Sequence, residues 1–274
     1  PTKGNSNESA GAIASAEVLW ESFGTDVTPS VGDLIKTASY KDGEITFQTS
    51  DTYKEGNAVI AAKDADGNIL WSWHIWLTDQ PKGQVYYNNA GTMMDRNLGA
   101  TSATPGDVGA LGLLYQWGRK YGQGYDGDAT TPEVVAGSVS LKEGQSESNA
   151  NKFYSDSYHW LTVGDAKLWN LGTEENPVKT EYDPCPEGWR VPELFDFYSL
   201  AEHYSDFVEY PEGGPKGRWF SGPAEYSTDV QRIFLPATGM RTRDGESHSR
   251  DRQAIYWSLR HGGGEGLVWH LYLN

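Results

Sequence analysis

The sequence predicts an α+β, β-rich protein: a small β-sandwich over residues 1–79, then a longer loop-rich region over residues 80–274. Three observations predict it. The chain carries 11 Trp, 16 Tyr and 32 Gly, and aromatic residues with glycine favour pleated strands joined by tight turns. Two Asp-Gly pairs, Asp42-Gly43 and Asp66-Gly67, each sit between β-prone runs. Beyond the polar segment Thr78-Asp79-Gln80-Pro81-Lys82-Gly83 the apolar runs shorten and the loops lengthen, which places a hinge there.

Residues 1–15 are small, polar and aperiodic, and read as a loosely held lead-in. Residues 34–40 and 45–49 flank Lys41-Asp42-Gly43-Glu44, and Asp-Gly between two such runs predicts a hairpin. Residues 57–62 and 69–77 flank Asp64-Ala65-Asp66-Gly67-Asn68 and predict a second. Along 69–77 the two-residue period puts Ile69, Trp71, Trp73, Ile75 and Leu77 on one face. Leu70, Ser72, His74 and Trp76 share the other, the pattern of a central strand whose second face is partly covered. The acids of residues 64–68 superficially match a calcium loop, but the later glutamate and flanking helices of an EF-hand are missing. A turn is expected. The region is short for a complete sandwich, so a strand upstream of residue 1 is expected as well.

In the second region, residues 111–120 suggest a short helix ended by Gly122, and the Gly/Asp/Thr/Ser-rich residues 121–150 an excursion. Pro192 opens the clearest helix, with Leu194, Phe197, Leu200, Ala201 and Tyr204 on one apolar face. Strands are expected at 218–220, 232–235, 255–259 and 267–273.

Thirty-eight acidic against 22 basic residues give a formal charge of -16. Such a surface repels phosphate backbones and anionic lipid, which excludes nucleic acid as a partner. No run approaches the roughly 18 apolar residues of a membrane helix, and the first residues lack the pattern of a signal peptide. The start reads as that of a processed or excised chain. The single cysteine, Cys185, excludes paired-cysteine zinc sites and an internal disulfide. It reads either as a buried thiol or as one whose partner lies outside the sequence.

Catalytic motifs fail on context. Gly122-Gln-Gly124-Tyr-Asp-Gly127 has dinucleotide-type spacing, but Asp128-Ala-Thr-Thr-Pro132 follows, so no helix N-terminus is in place for a phosphate. His261-Gly262-Gly263-Gly264 suggests an oxyanion loop, yet Gly-x-Ser-x-Gly is absent from the chain. The six histidines form no His-Glu-x-x-His. Neither an enzyme nor a cofactor or metal is expected.

Five ordered blocks resemble a known family. Met94-Asp95-Arg96-Asn97-Leu98-Gly99-Ala100, Gly112-Leu-Leu-Tyr115-Gln-Trp117-Gly-Arg119-Lys120, Asp183-Pro-Cys185-Pro-Glu-Gly-Trp189-Arg190-Val-Pro192, Phe234-Leu-Pro236-Ala-Thr-Gly239 and Tyr256-Trp257-Ser258 resemble the FISUMP domain (Fibrobacter succinogenes major paralogous domain). The upstream part, with Gly56-Asn57-Ala58-Val59-Ile60 and Ile69-Leu-Trp71-Ser-Trp73-His74-Ile-Trp76, looks like the Ig-like or fimbrillin-like module that precedes this domain in surface proteins of Bacteroidales. The resemblance implies export to the outer-membrane surface or a fimbria, with a lipid anchor outside this sequence as the means of membrane attachment. It implies a C-type-lectin-like fold over residues 80–274, its core helix entered by Trp189 and Arg190. It also implies a further downstream cysteine as a partner for Cys185.

The expected site follows from the residues and the resemblance together. Residues 240–266 gather Arg241, Arg243, Arg250, Arg252 and Arg260, with Asp244, Glu246, Asp251 and His261 among them. Arginines grip carboxylates bidentately, so Arg241, Arg243, Asp244, Arg250, Arg252 and His261 are the candidate ligand contacts for acidic sugars. Asp95, Arg96, Asn97, Arg119 and Arg190 are expected to form a buried structural polar network, because a buried unpaired charge costs several kcal/mol. The expected function is cell-surface adhesion to a glycan or a host or matrix protein. The alternatives are a structural subunit contacting other pilus subunits and, more weakly, a formylglycine-generating oxidase, which resembles sites with two reactive cysteines.

Overall fold

A computed structural model of the chain describes residues 1–4, 6–25, 27–86, 91–124, 132–155, 160–162, 168–173, 175–202, 208–209, 214–220, 232–261 and 268–274. Strands dominate over short helices, as the composition predicts.

The N-terminal part holds β1 (Ser15–Ser22), β2 (Ile35–Lys41), β3 (Glu44–Thr49), β4 (Gly56–Lys63) and β5 (Ile69–Leu77). Both expected hairpins form. Asp42 and Gly43 take φ of 52° and 87° between β2 and β3, the paired positive values that a two-residue turn of the right twist requires. Between β4 and β5 the Asp64 carboxylate accepts from the backbone N–H groups of Asp66 and Asn68 and from Asn68 Nδ2, at 3.0, 2.8 and 3.0 Å. Those bonds build the turn.

β1, β4 and β5 make an antiparallel sheet in that order, which corrects one expectation. β4 is the central strand, and β5 lies at the edge. The small side chains of Ala58, Ala61 and Ala62 are fully buried and let other layers close on both faces of β4. Leu34, Ile35 and Ala58 form a core with Val18, Phe23, Ile75 and Leu77. The buried Glu21 carboxylate accepts the backbone N–H groups of Leu34 and Ile35 at 3.1 and 2.8 Å, tying β2 to β1.

The second part is a series of small sheets. β6 (Gly83–Val85) pairs with β7 (Thr92–Met94), and β8 (Leu114–Tyr115) with β9 (Gly122–Gln123). β10 (Glu133–Ala136) runs parallel to β11 (Lys152–Ser155), with α1 (Leu141–Gly144) between them in sequence. After α2 (Leu194–Leu200), β12 (Val208–Glu209), β13 (Lys216–Phe220) and β14 (Ile233–Pro236) form a meander. β15 (Met240–Arg241) pairs with β16 (Ser247–His248), and β17 (Ala254–His261) with β18 (Val268–Leu273).

The helix expected over 111–120 does not form. A single 3-10 turn at Val108–Ala110, capped by the Asp107 carboxylate, precedes the β8–β9 ribbon. Gly112 and Gly118 sit at φ of 75° and 82°, outside helical space, and a Cβ on Gly118 would lie 2.0 Å from Leu168 Cδ1. The helix near Pro192 does form, but later than expected. The Pro192 carbonyl accepts the Leu259 N–H at 2.8 Å, so this residue runs beside β17, and Glu193 caps α2 with the Asp196 carboxylate accepting the Glu193 N–H at 2.9 Å. Trp189 and Arg190 therefore precede the helix instead of entering it. Tyr204, residues 125–131 and residues 262–267 lie outside the described residues.

Two cores result. Phe197 and Leu200 of α2 pack on Phe220, Ile233, Leu235, Ala254 and Leu273, with Tyr86 beside them. Trp117, Tyr154, Trp160, Trp169, Cys185, Val191 and Leu259 belong to the other. Among the described residues no helix is long and apolar enough to cross a membrane.

The second face of β5 is covered by this part of the chain. Trp76 Nε1 donates to the Ala100 carbonyl at 2.9 Å, and Asn57 Nδ2 to the Gly99 carbonyl at 2.8 Å. Because that amide nitrogen faces Gly99, Asn57 Oδ1 is the acceptor that meets His74 Nε2 at 2.9 Å, so His74 donates from Nε2. Ser72 Oγ donates to Glu147 Oε2 at 2.6 Å, and Lys120 Nζ donates to the Ser72 carbonyl at 2.8 Å.

Candidate functional site

Between the two cores lies a cavity of about 640 Å³, within the range of small-ligand sites. The α2 core contributes Phe197, Leu200, Ile233 and Leu235, and the tryptophan-rich core contributes Trp117, Tyr154, Trp160 and Trp169. Trp189 and Trp257 complete the aromatic wall.

The indoles are locked from behind. Trp117 Nε1 donates to Ser258 O, Trp160 Nε1 to Trp117 O, Trp169 Nε1 to Arg119 O and Trp257 Nε1 to Tyr115 O, at 3.0, 2.6, 3.3 and 2.9 Å. Each bond satisfies a buried N–H and fixes its ring, so the wall is organised before any ligand arrives. The charged lining has one sign in excess. Arg96, Arg190, Arg241 and Arg243 face a single described carboxylate, Asp196, in a chain of net charge -16.

Two of the expected ligand contacts belong to this cavity. Arg241 is part-buried on β15 and donates from Nη1 to Gly245 O and from Nη2 to Gly124 O, at 2.5 and 2.7 Å. Arg243 is exposed in the turn that follows, without a partner among the described residues. Asp244 points to solvent and accepts the Thr242 hydroxyl. Its carboxylate, that of Glu246 and the His248 ring come within 4.8 Å of one another, all exposed, with Glu246 3.3 Å from His248 Nε2. Arg250 and Arg252 follow β16, away from the lining, where the Arg252 N–H donates to Ser249 O. The side chains of His261 and Arg260 lie outside the described residues.

The five residues of the expected polar network separate into distinct groups. Arg96 pairs with Asp95 at 2.9 Å and with Asp79 at 2.6 Å, joining the segment after β5 to the end of β7. Asn97 Nδ2 donates to Leu111 O and Tyr256 Oη at 3.1 and 3.2 Å. Arg190 lies 3.9 Å from Asp196. Arg119 stands apart, fully buried, donating to the carbonyls of Gly144, Lys152 and Asn149 with its guanidinium over the Tyr121, Tyr154 and Trp160 rings. Burial lowers its pKa to about 10, still cationic at neutral pH.

Comparison with family models, with curated proteins and with solved structures finds no match. The site's chemistry therefore rests on its own geometry.

Cys185 lines the cavity. Burial and the adjacent Asp183 carboxylate push its thiol well above the usual range, so the group is neutral and a poor nucleophile at pH 7. Asp183 itself is engaged, accepting the N–H groups of Cys185 and Val191 and lying 3.0 Å from Lys179 Nζ. Sequence reasoning missed Gln123, Tyr115 and Asp196 as lining residues. Tyr115 lay inside a family-like block, but nothing local marks Gln123, whose place depends on the β8–β9 pairing of Leu114 with Gln123.

Proposed function

We propose that this chain is a non-enzymatic surface-binding protein whose aromatic cavity with an arginine-rich lining receives an acidic glycan. The carrying observation is the contrast between four arginines facing one described carboxylate in the cavity and a net charge of -16 for the whole chain. An acidic protein loses solubility and self-consistency nowhere by this arrangement, yet the field at the mouth favours anions. Fixed indole faces suit the apolar faces of sugar rings, and arginine forks suit carboxylates.

The fold reading that accompanies this is an Ig-like or fimbrillin-like sandwich followed by a C-type-lectin-like FISUMP domain. Support comes from the five sequence blocks and from α2 packing on the small sheets β13–β14 and β17–β18. Under this reading the protein acts outside the cytoplasm, at the outer-membrane surface or in a fimbria.

The test is a glycan array probed with folded chain at low and raised salt. Retention of uronic-acid or other carboxylated glycans, weakening with salt, is the expected result. Indifference to every glycan and host matrix protein offered would sink the reading, and recovery of the chain as a component of purified filaments would favour a structural subunit instead.

A further inference from the structure

We infer that Gln123 and Tyr115 are the hydrogen-bond donors with which the cavity reads the ring oxygens of its ligand, and that the ligand is a saccharide ending in a uronic acid. This rests on the binding reading above and specifies it.

The argument is one of elimination within the lining. Four indole N–H groups are spent on backbone carbonyls. Gln116 donates to Tyr154 O and accepts from Arg119, and Asn97 is held by Leu111 and Tyr256. Gln123 Nε2 and Tyr115 Oη are different. Both are enclosed, both residues line the cavity, and neither atom has a partner among the described residues. Gln123 is only 2% exposed. An enclosed donor without an acceptor costs about 1–3 kcal/mol, which a fold keeps only where something else supplies the acceptor.

Their placement matches one ligand chemistry. Arg241 Nη2 donates to the carbonyl of Gly124, next in sequence to Gln123, so the inner donor and the part-buried arginine are neighbours. Arg243, exposed and unpaired, stands further out. At Gly122 a Cβ would lie 3.0 Å from Tyr115 Oη, and the glycine leaves the approach to that hydroxyl open. A pyranose on an indole face, its hydroxyl and ring oxygens toward Gln123 and Tyr115 and its carboxylate toward the arginines, uses each of these groups once.

The experiment measures binding of a glucuronic-acid-terminated disaccharide and its glucose-terminated counterpart to the unaltered chain and to Gln123→Leu, Tyr115→Phe and Arg243→Ala. The first two variants are expected to weaken both sugars about tenfold, one donor's contribution each, while the preference for the acid persists. Arg243→Ala is expected to erase that preference. Thermal midpoints of Gln123→Leu and Tyr115→Phe should stay level or rise, because an unpartnered polar atom is removed. If the unaltered chain binds the acid and both donor variants bind it equally well, the inference falls while the binding reading stands. If the unaltered chain binds neither sugar, both fall. Should Gln123→Leu fail to fold, Tyr115→Phe, which removes one oxygen, decides alone.

Discussion

Lys120 Nζ lies 3.7 Å from the centre of the Trp71 ring and ion-pairs with Glu147 at 2.6 Å, both charged side chains more than nine-tenths buried. Its bond to the Ser72 carbonyl occupies part of the free edge of β5, where an open edge strand would otherwise invite pairing with another chain. One ammonium therefore links the N-terminal sheet to the second part of the fold. Lys120→Met is expected to cost about 3–5 kcal/mol in urea unfolding, since it strands the Glu147 carboxylate. Adding Glu147→Gln to it should recover a sizeable part of that loss. Equal losses in the single and double variants would show that the pair is not coupled.

The same lysine gives an alkaline signature. Burial, only partly offset by Glu147, lowers its pKa from 10.5 to about 8. Between those values the unfolded chain holds a proton that the folded chain has released, so stability rises with pH across the window. The unaltered chain should gain stability relative to Lys120→Met between pH 8 and 10.5. A difference that stays flat over that range would contradict the assignment.

His74 sets the acid side. Burial lowers its pKa from 6.5 to about 4, consistent with a neutral ring donating to Asn57. Below pH 6.5 the unfolded chain takes up a proton that the folded chain refuses until about pH 4, so stability falls with acidification in that interval. The loss attributable to this residue is about 2 kcal/mol. His74→Gln, which keeps a donor for Asn57, should lose less stability between pH 6.5 and 4 than the parent; identical acid profiles would remove His74 from the account.

How far the sequence could be read depends on the range of the interactions involved. The hairpin at Asp42-Gly43 and the turn built by Asp64 are local, since the residues that demand the geometry are the ones that adopt it. The edge position of β5 was illegible, because its second face is buried by Gly99, Ala100 and Glu147 rather than by a flanking strand. Apolar spacing over 111–120 suggested a helix for a similar reason: Trp117 and Leu111 are buried by distant segments, while Gly112 and Gly118 bend the chain. Arg241 and Arg243 were singled out from local arginine density, but Gln123 acquires its place only through β8–β9 pairing and the reach of Arg241 to Gly124.

Gly118→Ala tests the bend that separates Trp117 from Arg119. It introduces a side chain at φ of 82° and a Cβ 2.0 Å from Leu168 Cδ1. Strain and overpacking together should cost about 3 kcal/mol or more, read as a lowered urea midpoint with an unchanged slope. Tolerance of alanine here would mean that the Leu168 segment relaxes easily.

Arg119 makes a sharper prediction about residue type. Its planar fork reaches three backbone carbonyls while three aromatic rings face the guanidinium. A lysine keeps the charge but brings three donors on a point-like, strongly hydrated ammonium, and the fork geometry is lost. Arg119→Lys should therefore destabilise by about 2–4 kcal/mol, as a charged residue buried with unmet hydrogen-bond partners does.

The two cavity arginines should separate binding from folding. Arg241 holds the carbonyls of Gly245 and Gly124, so Arg241→Ala leaves them without that donor and should lower both acidic-glycan affinity and the thermal midpoint. Arg243 is exposed and holds nothing among the described residues, so Arg243→Ala should leave the thermal midpoint within about 1 °C, as surface substitutions do. Its effect belongs to the ligand: about five- to tenfold weaker binding of a carboxylated sugar at low salt, the size of one charge-assisted contact. That penalty should shrink as salt is raised, because screening weakens the exposed charge in the parent too. A loss of affinity from Arg243→Ala that ignores salt would place the arginine's contribution in packing rather than charge.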